Sequence, residues 1–308
     1  MEVKCLLSSR IIKFCKNPYK IIDYLGAKVK LKCFPDEVYL KILYRARMGK
    51  KLNIINPKTF NEKLQWLKLY DRDPLYTNLV DKYEVRKYIA EAIGEEYLVP
   101  LIGVWNSFDE IDFSKLPNKF VLKCTHDSGG VIICKDKSKL KINSVIKSIN
   151  RKLKRNYYYY GREWPYKNIK PRIIAEKFMG EWNKDLKDYK FFCFNGEPKL
   201  ILVCSERYRD TGLKETFFDT AWNITNIKRP GHSRDINIHK PTKLDEMLSL
   251  SKKLSEGKSF IRVDFYEING QVYFGELTFY PASGFTGFKP EKYDEILGGW
   301  IEIPEGKH

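Results

Sequence analysis

Residues 260–278 read Phe260-Ile-Arg262-Val-Asp264-Phe-Tyr266-Glu-Ile-Asn269-Gly270-Gln-Val-Tyr-Phe-Gly-Glu276-Leu-Thr278. Two apolar runs meet at Asn269-Gly270. A type I′ turn needs φ > 0 at both central positions, and Asn-Gly is the pair that tolerates this best. The segment is therefore expected to form an antiparallel hairpin. Strand alternation puts Arg262, Asp264 and Tyr266 on one face, and Glu276 and Thr278 together on a face of the returning strand. Pairing of the strands lets Asp264 and Glu276 approach each other. Close carboxylates repel unless something neutralises them. A divalent cation with oxygen ligands does so, and Mg²⁺ often takes only one or two protein carboxylates. A cross-strand network in which Arg262 and nearby lysines satisfy both acids is the other reading.

The rest of the chain fits around such a hairpin. Asn195-Gly196 signals a second one, between strands at 189–194 and 199–204. Further strands are expected at 98–104, 119–124, 131–134, 172–178 and 215–218. Helices are expected after Pro35, with Val38, Ile42 and Met48 on one side and Gly49 as the stop, and after the capping box Thr59-x-x-Glu62. Others are expected at 81–93, 141–155 and 242–255. The tract 157–166, Tyr-Tyr-Tyr-Tyr-Gly161-Arg162-Glu163-Trp164-Pro-Tyr166, has no clean period and reads as a long loop, either a closing lid or a packed aromatic segment. The fold class is α+β: a helical front end, then a mostly antiparallel β region with covering helices.

Charge is unevenly spread over the 308 residues. The net charge is +17, yet residues 1–58 hold fourteen Lys/Arg against four Asp/Glu, a surplus of ten. This segment interleaves lysines with short apolar stretches at 5–25 and reads as one or two amphipathic helices broken at Pro18. It suits a polyanion such as an anionic lipid surface or an acidic polymer. No run of 18 apolar residues occurs, and Arg10 and Lys13 break the N-terminal apolar run, so neither a spanning helix nor a secretory signal is expected. Seven cysteines without a C-x-x-C pair read as reduced thiols in a cytoplasmic protein.

Two more segments carry candidate chemistry. Lys123-x-x-His126-x-Ser128-Gly129-Gly130 ends a strand in a lysine and turns through two glycines. Backbone N–H groups, the Ser128 hydroxyl and the Lys123 charge suit a polyphosphate, although an ordinary Gly-Gly hairpin with an exposed lysine reads the same way. The strand Ile173-Ile174-Ala175-Glu176-Lys177-Phe178 could line a purine slot or be an edge strand with solvated charges. The four histidines are scattered without metal-ligand spacing, and neither H-E-x-x-H nor G-x-S-x-G is present.

Taken in order, these segments resemble the ATP-grasp superfamily. Asn56-Pro-Lys-Thr-Phe-Asn-Glu-Lys-Leu-Gln-Trp66, Lys123-Cys-Thr-His-Asp-Ser-Gly129, Gly161-Arg-Glu-Trp164, Ile174-Ala-Glu176, Arg262-Val-Asp-Phe-Tyr266 and Phe274-Gly-Glu-Leu-Thr-Phe-Tyr-Pro-Ala-Ser-Gly284 look like the ATP-grasp family named for teichuronopeptide biosynthesis. The resemblance covers the chain from about Pro35 onward. It implies two α+β subdomains clasping ATP. Lys123 would contact the phosphates, with His126, Ser128, Gly129 and Gly130 at the loop over them. Glu176 would accept from the adenine amino group, and Lys177 and Phe178 would line its slot. Asp264 and Glu276 would hold Mg²⁺. Arg262 would face the reacting groups and Lys190 would add a phosphate contact. Thr278 stands where much of the superfamily has Asn, and a hydroxyl is a poorer metal ligand than an amide carbonyl.

The resemblance implies an ATP-dependent carboxylate–amine ligase acting on a uronic-acid-containing or other acidic glycan or peptide, with an amino compound as its second substrate. Residues 1–57 would form a basic helical segment, 58–115 a helical region before the ATP-grasp domain, and 116–308 that domain. The location expected is cytoplasmic, with peripheral contact at the anionic inner membrane face. The alternatives are a glycosyltransferase or a kinase, and, from charge alone, a nucleic-acid-binding protein. A sugar transferase would more usually show D-x-D in a loop after a strand; the one D-x-D here, Asp71-Arg72-Asp73, follows the helical stretch after Thr59 instead. No recognised nucleic-acid-binding motif appears, so no nucleic-acid partner is expected.

Overall fold

The computed structural model describes residues 34–180, 186–207 and 212–304. The amphipathic helices expected at 5–25 lie outside the described residues. Among the described residues, four helices come first: α1 (Asp36–Met48), α2 (Phe60–Tyr70), α3 (Leu75–Val80) and α4 (Val85–Ala92). Then follow β1 (Leu101–Trp105), β2 (Phe120–Cys124), β3 (Ile132–Cys134), α5 (Ile142–Leu153), α6 (Tyr158–Gly161) and β4 (Ile173–Lys177). The remainder is β5 (Asp188–Phe194), β6 (Glu197–Ser205), β7 (Lys214–Phe218), α7 (Leu244–Ser255), β8 (Phe260–Ile268), β9 (Gln271–Thr278) and α8 (Lys292–Gly299). The strands form two sheets, ordered β1-β4-β2-β3 and β7-β6-β5-β8-β9. Every strand pair in both is antiparallel.

Local signals account for most element ends. The capping box at α2 is formed: the Glu62 N–H donates to Thr59 Oγ1 at 3.2 Å, and the Thr59 N–H donates to Glu62 Oε2 at 3.1 Å. Gly49 ends α1 in the left-handed region, with φ 71°. Both Asn-Gly turns have positive φ at each position, 50° and 81° at 195–196, 54° and 75° at 269–270. These are the conformations that fix a two-residue hairpin.

Three expectations need correction. The buried face of α1 is Tyr39, Leu40, Leu43, Tyr44 and Ala46, while Val38 is 43% exposed. The buried stripe is rotated from the expected one, onto Leu40 and Leu43 with Tyr39 and Tyr44 beside them. The helix expected from 81 begins at Val85, because the Asp81 carboxylate accepts from the N–H groups of Tyr83 (2.7 Å) and Glu84 (3.2 Å) and holds a turn first. Residues 157–166 are no plain loop. They contain α6 and a 3₁₀ turn, Trp164–Tyr166, and the Trp164 indole donates to the Asp71 carbonyl at 3.1 Å.

Each sheet buries its own core. Phe120, Leu122 and Cys124 of β2 and Ile173 and Ala175 of β4 pack with Val145 and Ile149 of α5. The alternate residues Val121 and Lys123 point the other way, to a cleft. The five-stranded sheet is backed by α7, whose Ser251 carbonyl meets the Cys193 thiol. Its front carries the cleft at one end and α2 at the other, where Phe60 packs edge-on to Phe260 (5.0 Å) and Phe288 (5.6 Å). Helix α8 reaches α2 through Gly298. A Cβ there would lie 2.1 Å from the Lys58 carbonyl oxygen and 2.6 Å from the Phe60 nitrogen, both backbone atoms that cannot swing aside. Gly298→Ala is expected to cost about 1–3 kcal/mol of stability by overpacking. A urea midpoint equal to wild type would show that the helices separate freely.

Candidate active site

A cleft of about 850 Å³ lies between the sheets, large enough for a nucleotide-sized ligand. Val121, Lys123 and Ile133 line it from the first sheet, and Asp188, Lys190, Leu202, Arg262, Asp264 and Glu276 from the second. Its walls carry nine Lys/Arg against five Asp/Glu, a surplus of four positive charges. Such a cleft concentrates anions.

The floor depends on one irregularity. Counting back from Asn269-Gly270 pairs Tyr266 with Tyr273 and Phe265 with Phe274. Unbroken alternation would then set Asp264 against Gly275 and turn Glu276 to the opposite face. A bulge at Gly275 shifts the register by one, so that Asp264 faces Glu276 and Arg262 faces Thr278. Glycine suits the bulge because a Cβ there would sit 3.0 Å from the Asp264 carbonyl oxygen.

Arg262 lies between the two acids. Its Nε donates to Asp264 Oδ1 at 2.6 Å, and its Nη2 donates to Asp264 Oδ2 (2.7 Å), Glu276 Oε1 (2.8 Å) and Thr278 Oγ1 (3.0 Å). Lys190 binds Asp264 from the neighbouring strand and pairs with Asp188 at 2.6 Å. The cross-strand network neutralises the acids. Partial burial would raise Glu276, but Arg262, Lys190 and Lys82 outweigh it and bring its carboxyl down to about 2. Burial would lower Arg262 and Lys190, but the surrounding carboxylates reverse this and both are raised.

These residues fit Mg²⁺ by donor chemistry. Asp264 and Glu276 are hard oxygen donors in register, Glu276 is held ionised, and Asp188 Oδ1 is buried without a hydrogen-bond partner among the described residues. No cluster of three or more His, Cys, Asp or Glu able to hold a metal occurs among the described residues. A metal here would share its shell with a nucleotide. The Thr278 hydroxyl is engaged by Arg262 and donates to Glu276 at 3.2 Å. It does not line the cleft.

Above the floor, Lys123 donates to Glu176 Oε2 at 2.6 Å, and Arg86 Nη1 approaches Oε1 at 3.5 Å. Glu176, Lys177, Phe178, Ser128 and Gly129 all line the cleft. Gly129 and Gly130 both have φ of 74°. At Gly130 a Cβ would meet the Lys152 ammonium at 1.0 Å. Gly130 and His126 do not line the cleft. His126 is buried, and because a carbonyl only accepts, its Nε2–H donates to Lys152 O at 3.1 Å. Burial lowers its pKa and favours the neutral ring. His126 therefore braces the loop from beneath.

Lys82, Arg86, Asp188, Arg207 and Arg229 also line the cleft, although none belongs to the candidate site residues of the sequence motifs. Asp188 had a readable signal: it lies two residues before Lys190 and shares its face. Lys82 had none. It comes from the turn before α4 and donates to the Asp127 carbonyl at 2.6 Å, fastening the glycine loop.

A family model described as TupA-like ATP-grasp matches residues 62–302. The chain belongs to this family. No curated protein sequence matches it. Among solved structures, this ATP-grasp chain is similar to D-alanine–D-alanine ligase from Bacillus anthracis complexed with ATP, at 17% identity and TM-score 0.40, covering 66% of this chain and 56% of that one. It thus spans little more than half of that ligase. A RimK-domain ATP-grasp protein from Sphaerobacter thermophilus aligns at 10% identity and TM-score 0.42, over 75% and 70% of the two chains. N5-carboxyaminoimidazole synthetase from Staphylococcus aureus complexed with ADP aligns at 15% and 0.37, over 73% and 52%.

Proposed function

We propose that this TupA-like ATP-grasp protein is an ATP-dependent carboxylate–amine ligase. The observation that carries the reading is the register of Asp264 against Glu276, with Arg262 between them, at the floor of a positively charged cleft. Lys123, Ser128 and Gly129 would hold the phosphates, with Lys190 near them. Glu176 would receive the adenine amino group, and Lys177 and Phe178 would flank the base. Asp264 and Glu276 would hold Mg²⁺, which offsets charge on the phosphates during transfer.

A substrate carboxylate oxygen attacks the γ-phosphorus, the bond to the ADP oxygen breaks, and an acyl phosphate forms. An amine nitrogen then attacks the acyl carbon. The carbon–oxygen bond to phosphate breaks, and the amine's proton leaves with the phosphate. Arg262 would face the transferring group. Tyr166, which reaches the cleft from the 157–166 segment, would help exclude water that would hydrolyse the acyl phosphate.

The cleft's charge supports an acidic substrate, such as a uronic-acid-containing glycan or an acidic peptide. The surplus of ten positive charges in residues 1–58 supports recruitment of that segment to an anionic polymer or membrane face. No helix of the described residues is long and apolar enough to cross a membrane. ADP release, measured against a panel of uronic acids, glycans and amino acids with an amine present, tests the reading. No release with any pair would overturn it.

Lys123 gives a narrower test. One charge-assisted phosphate contact is worth about 1.5–3 kcal/mol. Lys123→Ala is therefore expected to raise the KM for ATP about 10- to 100-fold. An unchanged KM would leave Lys123 as the partner of Glu176 only.

A further inference from the structure

Arg229 lines the cleft from the segment between β7 and α7 and is only 8% exposed. Its guanidinium lies 4.6 Å from the centre of the Phe288 ring and 5.9 Å from that of Phe217. Nη1 donates to the Thr286 carbonyl at 3.1 Å. The adjacent backbone is pinned, since Lys228 and Lys289 exchange N–H···O bonds of 2.9 Å in both directions. Among the described residues, no carboxylate lies within 4.0 Å of the Arg229 guanidinium nitrogens. Two other cations of the cleft, the buried Lys190 and the largely buried Arg262, are each paired with acids. Burial pushes Arg229 down to about 10, Glu215 draws it back up, and Arg262 is near enough to repel it. A fixed, buried guanidinium with no anion is costly, and a bound anion relieves that cost.

We infer that Arg229 is a specificity-determining residue that receives the substrate carboxylate and holds it beside Arg262 for attack on the γ-phosphorus. The inference rests on the ligase reading above. A guanidinium fork fits a carboxylate in two parallel hydrogen bonds. Arg262, tied to Asp264 and Glu276, has less to offer an incoming acid. The same fork would fit a phosphate oxygen of ATP, so the test separates the two anions.

The probe is acetate, the minimal carboxylate, followed by saturation-transfer NMR in the presence of Mg²⁺ and a non-hydrolysable ATP analogue. Nothing turns over, so the result is independent of whether ligation is observed. Wild type is expected to bind acetate, Arg229→Met to weaken that binding about 10- to 100-fold, and Arg229→Lys to lie between. Affinity for the ATP analogue is expected to stay the same in both variants, which also shows that they are folded. Acetate binding unchanged in Arg229→Met, or missing from wild type, would overturn the inference. A loss of nucleotide affinity with acetate binding intact would assign Arg229 to the triphosphate instead.

Discussion

Glu276→Ala is expected to reduce ADP formation at least about a thousandfold while leaving the fold intact. A metal that stabilises transition-state charge is worth several kcal/mol, and about 4 kcal/mol corresponds to three orders of magnitude in rate. The fold should survive because the side chain is 42% exposed towards the cleft, and Arg262 keeps both bonds to Asp264 when Glu276 is gone. Glu276→Gln should be nearly as inactive, since it keeps the shape and loses the charge. The Glu276 carboxyl is held at about 2, so its own protonation should not shape the activity profile near neutrality. Full activity in either variant would show that Asp264 and Glu276 are a structural pair.

Lys68→Met is expected to give the largest loss of stability. Lys68 is fully buried in α2. Its ammonium donates to Gly161 O (2.7 Å), Ser283 O (2.8 Å), Ser283 Oγ (2.9 Å) and Gln65 Oε1 (3.0 Å), and lies 4.6 Å from the centre of the Phe285 ring. It joins α2 to α6 and to the loop after β9, where Ala282, Ser283 and Gly284 have φ of 49°, 54° and 63°. Two consecutive non-glycine residues there are strained and need outside support. Burial pulls Lys68 down to about 7, and the buried Glu163 draws it back towards the charged form. Methionine fills similar space but strands Glu163 and leaves the carbonyls unmatched. Breaking such an arrangement costs about 3–5 kcal/mol. Urea unfolding should show a lower midpoint with an unchanged slope. Adding Glu163→Gln should restore part of the loss by removing the stranded charge. A wild-type midpoint for Lys68→Met would mean that the lysine is merely tolerated.

How much was readable depends on how local the signal is. The two Asn-Gly turns, the capping box at Thr59 and the glycine stop at 49 are decided within four residues, and each appears where the sequence places it. The loop at 125–130 and the strand ending at Lys177 were legible for the same reason. The Gly275 bulge was not. A glycine inside a strand signals an irregularity but does not say which way the register moves, and here the approach of Asp264 to Glu276 depends on it. The pairing of Lys123 with Glu176 was also hidden. Their strands are 53 residues apart in sequence, and only the order β1-β4-β2-β3 makes them neighbours. Arg229 and Lys68 belong to no motif. Their importance comes from being buried with unusual partners, which is a property of packing.

The two sheets bury their apolar faces separately, one against α5 and the other against α7 and α2. Between them lies the charged cleft rather than a shared oily layer. A jaw built this way can change its opening angle without unpacking either half. Side chains that reach across, such as Lys82 from the turn before α4 to the Asp127 carbonyl, would act as tethers that limit the gape. Substrate size would then be governed by how far these tethers stretch, while each half keeps its shape throughout.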